Sequence, residues 1–164
     1  MYRSHTCGEL RISDTNNKVT LSGWVQKSRD KGFIVWVDLR DRYGITQVVF
    51  EPTYNKDAHE ISKSLRSEFV ISIEGKVRTR PEGTENLQLD TGNVDVMVDK
   101  LIILNEAETP PFQIKNEIDV SEDLRLKYRY LDLRRGRMQN NLMLRSKFYQ
   151  IVRKYFDSNS FIEI

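Results

Sequence analysis

The sequence predicts a mainly β chain: a small five-stranded barrel with one helix between its third and fourth strands, followed by a helical segment. Three observations carry this expectation. Residues 33–39 alternate strictly, placing Phe33, Val35, Val37 and Leu39 on one face and Ile34, Trp36 and Asp38 on the other. Further stretches repeat that period of two, and a single stretch of helical spacing interrupts them after the third. Past residue 120 helical spacing takes over for the rest of the chain.

The first strand is expected where Val19, Leu21, Gly23 and Val25 alternate with Thr20, Ser22, Trp24 and Gln26. Before it, Ser4 is placed to cap a short helical turn running to Leu10, and the Asp14-Thr15-Asn16-Asn17 cluster reads as a turn. Residues 27–32 form a polar loop, residues 33–39 the second strand, residues 41–44 a hairpin turn and residues 45–50 the third strand. After Pro52, Asn55 caps a helix with Ala58, Ile61 and Leu65 on one face, which leaves His59 on its surface side. The fourth strand alternates Phe69, Ile71, Ile73 and Val77 against Glu74, Lys76 and Arg78. Gly75 within it marks a bulge or tight bend. Residues 81–93 are loop-like, with a short extended piece at 87–89. In the fifth strand Val94, Val96 and Val98 point inward and Asp95, Met97 and Asp99 outward, and the strand runs on to Leu104. Three strands, a helix and two strands is the order of an OB-fold, a five-stranded Greek-key barrel.

Residues 106–120 read as a linker stiffened by Pro110-Pro111, separating a barrel domain over 1–105 from a segment over 121–164. Ser121 is a helix cap. Between Arg125 and Arg137 lie six basic residues and one acid with two interleaved tyrosines, a run that either touches nucleic acid or pairs internally. A helix over about 141–157 follows, with Leu144, Phe148, Ile151, Val152 and Tyr155 on one stripe, and residues 161–164 begin a strand. A helix with so wide an apolar stripe needs a partner that the chain does not otherwise supply. The chain therefore reads as part of a longer protein.

Composition narrows the classes. A length of 164 residues with 38% hydrophobic and 30% charged residues fits a soluble folded protein and argues against disorder. No apolar run approaches the roughly 20 residues needed to span a bilayer, and no signal-peptide segment opens the chain. No membrane partner is expected, and a cytoplasmic setting fits. Cys7 is the only cysteine, which rules out an internal disulfide and any cysteine-based zinc site. With His5 it has no metal-ligand spacing around it, so both read as structural or incidental. The formal net charge of +2 is too small to imply nucleic acid by itself, so the placement of charge matters more than its sum.

Several strings together resemble one family. Cys7-Gly8-Glu9-Leu10-Arg11, Gly23-Trp24-Val25, Arg29-Asp30, Asp38-Leu39-Arg40-Asp41-Arg42, Gly44 with Gln47-Val48, and Arg129-Tyr130-Leu131-Asp132-Leu133-Arg134-Arg135 are similar to bacterial-type aspartyl-tRNA synthetase. The resemblance covers essentially the whole chain, in order. It implies an N-terminal OB-fold that binds the tRNA anticodon, a hinge, and the truncated start of an α+β class II catalytic domain. The last helix and residues 161–164 are similar to the family's motif 1, which implies a homodimeric parent. That parent would be an aspartate–tRNA ligase using ATP and Mg2+. The motifs that bind ATP and aspartate lie further on in the family, so this chain is expected to carry no catalytic residue, metal site or cofactor of its own.

Single-stranded RNA is read by stacking bases on aromatic rings or guanidinium planes and by hydrogen-bonding their edges. Trp36 faces outward, and the resemblance places an aromatic here under the central uridine of a G-U-C anticodon. Arg29 matches an arginine that packs on or pairs with an anticodon base, and Gln47 offers an amide donor and acceptor for a pyrimidine edge. Asp95 stands where the family has a glutamate that accepts from the first anticodon guanine; the shorter side chain is a departure, and a solvated strand carboxylate is the plain alternative. Lys27, Arg78 and Arg80 would neutralise phosphates without reading sequence. Ser28 occupies a position where the family often has another arginine. Two other classes fit the pattern less fully. One is a stand-alone OB-fold that binds single strands without preference. The other is a protein-interaction fragment that works through its C-terminal helix.

Overall fold

The alternating stretches pair into a closed five-stranded barrel. The structure, a computed structural model, describes residues 2–164 and divides into a first unit ending at Pro110 and a second over Pro111–Ile164. In the first unit the strands are β1 (Lys18–Asp30), β2 (Val35–Arg40), β3 (Ile45–Phe50), β4 (Val70–Thr79) and β5 (Val94–Asn105), with helix α1 (Lys56–Ser62) between β3 and β4. Their order around the barrel is β1-β2-β3-β5-β4, closed by β4 on β1. All pairings are antiparallel except that of β3 with β5. Closure leaves no unpaired sheet edge.

The core follows the period of two. Val19, Leu21, Val25, Val35, Val37, Leu39, Ile71, Ile73, Val77, Val94, Val96 and Val98 are all buried. Gly75 sits where the β4–β5 register shifts, and a Cβ there would stand 2.3 Å from the backbone oxygen of Met97. Only glycine allows that approach. Asn55 caps α1 by accepting from the amide of Ala58 at 2.9 Å.

Several expectations for this unit change. Ser4 caps no helix; its amide donates to the Thr20 carbonyl and its hydroxyl accepts from the Thr20 amide, both at 2.9 Å, so the segment lies along β1. Residues 27–30 are strand rather than loop, because a bulge between Val25 and Lys27 lets β1 continue against β2. Phe33 is not in the core but 59% exposed. Gly32 at φ +84° and the Lys31 amide on the Ile34 carbonyl turn the chain there, so alternation begins only at Val35. On the short helix α1 the buried positions are Ala58, His59 and Ser62, so His59 is inside and Ile61 outside. Residues 87–89 are turns, tied by the amide of Asn86 to the carbonyl of Gly92, rather than an extended piece.

The second unit contains helices α2 (Glu122–Lys127), α3 (Arg129–Asp132) and α4 (Gly136–Ser158). Ser121 caps α2 as expected, accepting from the amide of Leu124. Asp132 is fully buried and accepts from Arg129 at 2.6 Å and Arg135 at 2.7 Å; Arg135 also donates to the carbonyls of Lys115 and Asn116. Part of the basic run is thus internal clamping. α4 starts earlier than expected, and none of its residues is buried: Leu144, Phe148, Ile151 and Tyr155 are 60–70% exposed. Residues 161–164 form no strand, since among the described residues no strand pairs with them. No helix of the described residues is long and apolar enough to cross a membrane.

Candidate nucleic-acid interface

The bulge in β1 decides which of its side chains reach the outer face. Up to Val25 the odd-numbered positions point into the barrel. The extra residue at the bulge reverses that parity, so Lys27 pairs with Asp38 and Arg29 with Trp36. On the other side of β2, Asp38 pairs with Gln47 and Trp36 with Val49. Paired residues share a face. Lys27 and Arg29, Trp36 and Asp38, and Gln47 therefore form one continuous outer surface over three strands.

Trp36 is half-buried on the outer face of β2. The other tryptophan, Trp24, is covered by the guanidinium of Arg40 at 6.0 Å. Trp24 is thus engaged by Arg40, whereas Trp36 stands on the outer face with its indole partly exposed. Beside Trp36, Arg29 donates from Nη1 to Oδ2 of Asp38 and from Nη2 to Oδ1, both at 2.7 Å. Gln47 is half-buried across the strand from Asp38, and Lys27 is exposed.

Next to this surface, Arg78 on β4 donates from Nε to Asp95 on β5 at 2.7 Å and lies 3.5 Å from Glu51. Burial works against the charge on Arg78, but the hydrogen bonds and charges of Asp95 and Glu51 outweigh it and hold its pKa above the ordinary value. Asp95 is only 2% exposed, which corrects the expectation of an outward, solvated carboxylate. Burial pushes its carboxyl above the usual range, against the opposing pull of Arg78. Arg80 is likewise buried rather than offered to solvent. Its Nε donates to the Val94 carbonyl at 2.9 Å and its Nη1 approaches the Thr84 carbonyl at 3.4 Å, which fastens it to the 81–93 loop. Burial lowers its pKa, with Asp95 and Asp38 acting in the opposite sense.

Of the seven residues singled out from sequence, Arg29, Trp36, Gln47 and Lys27 thus share one accessible face, whereas Asp95, Arg78 and Arg80 form a charged cluster partly beneath the surface. Sequence reasoning missed Asp38 and Glu51. Asp38 has the same outward parity as Trp36 and lies in one of the family-like strings, but its pairing with Arg29 depends on the bulge. Cys7 is fully buried, its amide donating to Asp41 and its carbonyl accepting from Thr46, and burial raises its thiol pKa. Among the described residues no group of three or more His, Cys, Asp or Glu is arranged to hold a metal ion.

A closed five-stranded barrel in the order β1-β2-β3-β5-β4, with an indole, a guanidinium and an amide on one outer face, has the form of an OB-fold. The chain belongs to the family of OB-fold nucleic acid binding domains, which it matches over residues 19–104. Residues 121–164 match tRNA synthetases of class II (D, K and N). Homologues at about 50% identity over the whole chain are aspartate–tRNA ligases. The aspartate–tRNA(Asp/Asn) ligase of Desulfatibacillum aliphaticivorans is 50% identical over all of this chain and 28% of its own length. The aspartate–tRNA ligase of Flavobacterium psychrophilum is 51% identical over the same shares of the two chains. Among solved structures, the aspartyl-tRNA synthetase of Entamoeba histolytica superposes with a TM-score of 0.86 at 23% identity, over 96% of this chain and 38% of that one, a likeness of fold. The chain thus spans little more than a quarter of the length of these curated relatives.

Proposed function

We propose that this chain is the anticodon-binding part of an aspartate–tRNA ligase, in which the outer face of the barrel holds the unpaired bases of the anticodon loop. The observation that carries this reading is the placement of partly exposed Trp36 on the outer face with Arg29 directly opposite it on the neighbouring strand. The indole stacks the central base. Arg29 packs on or pairs with a neighbouring base, and Gln47 hydrogen-bonds a pyrimidine edge. Lys27 neutralises backbone phosphate, and Arg78 and Arg80 add positive field from partly beneath the surface, moderated by Asp95 and Glu51. Asp95, held by Arg78, belongs to the floor of the site, where its remaining lone pairs are the acceptors left for a base.

The domain division proposed is a barrel over 1–105, a hinge over 106–120 and the opening of a class II catalytic domain over 121–164. For the parent protein the reading implies activation of aspartate with ATP and Mg2+ in the cytoplasm, followed by transfer to tRNA, a step of protein biosynthesis. No residue of this chain is proposed to hold ATP or Mg2+. The exposed apolar side chains of α4 support a homodimeric parent.

The test is a fluorescence titration of the Trp24→Phe variant, in which Trp36 is the only indole. The ligands are a stem-loop carrying G-U-C and one with the central uridine replaced. Quenching with preference for G-U-C is expected. Equal affinity for both stem-loops would overturn base-specific recognition.

A further inference from the structure

We infer that Asp38 is the positioning residue for Arg29: it fixes the guanidinium plane beside Trp36 so that a loop base meets a preformed surface. This rests on the anticodon-binding reading above. Asp38 lies one diagonal step from Arg29 across the β1–β2 pair, because the bulge places Lys27 opposite it and Arg29 opposite Trp36. Each terminal nitrogen of Arg29 reaches a different oxygen of Asp38, both at 2.7 Å. That is the fork-to-fork geometry in which the two planes are held together.

Stability alone is not what the geometry of the pair provides. The side chains are 33% and 20% exposed, so the pair is only partly buried and its contribution to folding is modest beside that of a fully buried pair. An unpaired arginine on a strand would be spread over many rotamers, and a ligand binding it would have to order them. Held end-on by Asp38, Arg29 keeps Nε–H and one N–H on each terminal nitrogen for a base or phosphate. Its flat faces also remain available.

The charge of Asp38 points the other way, and this makes the inference testable by sign. A carboxylate on an RNA-binding face repels phosphate, so deleting it should strengthen binding through net charge alone. Deleting a positioning group should weaken it.

The experiment compares the whole chain with Asp38→Asn, Arg29→Ala and the double variant. Each is titrated with the G-U-C stem-loop at fixed salt, and thermal unfolding is recorded alongside. Asp38→Asn is expected to weaken binding by about fivefold to tenfold with little change in unfolding midpoint, and to change it by less than about twofold when Arg29 is already alanine. Unchanged or tighter binding by Asp38→Asn overturns the inference, as does an equal loss in both backgrounds. If the unsubstituted chain itself does not prefer the G-U-C stem-loop, the anticodon reading falls and this inference falls with it.

Discussion

Removing the carboxylate of Glu68 should destabilise the barrel more than most single substitutions in it. Glu68 is 5% exposed and Arg40 8%, and Nη2 of Arg40 donates to both oxygens of Glu68 at 2.9 Å. The pair joins the end of β2 to the residues that start β4, where the Glu68 amide also donates to the Val25 carbonyl at 2.7 Å. Glu68→Ala would leave the Arg40 guanidinium buried without its counter-ion. Breaking a buried pair from one side costs about 3–5 kcal/mol, which for a chain of this size lowers the unfolding midpoint by roughly 6–20 °C. Alanine is the right probe because Glu68 has φ +66°, and glycine would relieve that conformation and mix the two effects. Replacing both partners together, as Arg40→Met with Glu68→Met, should recover a large part of the loss, since no charge is then left alone. Trp24 lies under Arg40, so its fluorescence reports displacement of the guanidinium as well as global unfolding. A midpoint lowered by less than about 2 °C in Glu68→Ala, corresponding to under about 1 kcal/mol, would refute this account of the pair, as would a double variant less stable than either single one.

Three other expectations follow from the same geometry. Trp36→Ala should weaken stem-loop binding by about tenfold or more, since stacking contributes roughly 1–3 kcal/mol per base; titration read by anisotropy of a labelled RNA checks this. Gly75→Ala should lower stability by more than about 2 kcal/mol, because its Cβ would meet the Met97 carbonyl, a backbone atom in a closed sheet; urea unfolding measures it. Asp95 has a carboxyl pKa raised in the folded state, so the fold binds its proton more tightly than the unfolded chain does. Its contribution therefore favours folding at acid pH and is lost as pH rises from the ordinary value of 3.8 through the raised one. Asp95→Asn should remove that component from the pH dependence of the urea midpoint.

Barrel strands two to five and their inward residues were legible because alternation is a local property: a side chain on one face of a strand stays there whatever the partner. The position of Gly75 was legible for the same reason, since a glycine among β-branched residues has few other uses. Phe33 misled because alternation extends one step past the turn at Gly32, and nothing in the pattern says where pairing stops. His59 misled because a helix of two turns has too few residues for its spacing to fix a buried face.

The sequence by itself determined the five-strand order, the capped helix between the third and fourth strands, and the aromatic and basic residue types of the proposed binding face. Tertiary structure alone decided that Lys27 and Arg29 face the same way as Trp36, since a bulge reverses strand parity without changing any residue. It alone joined Arg29 to Asp38 and Arg78 to Asp95, and it buried Asp95, which alternation had pointed outward, and Arg80, which had been expected to meet phosphate. The physical reason is that periodicity fixes a direction from one strand. Exposure and ion pairing depend on what the neighbouring strands and loops bring over it.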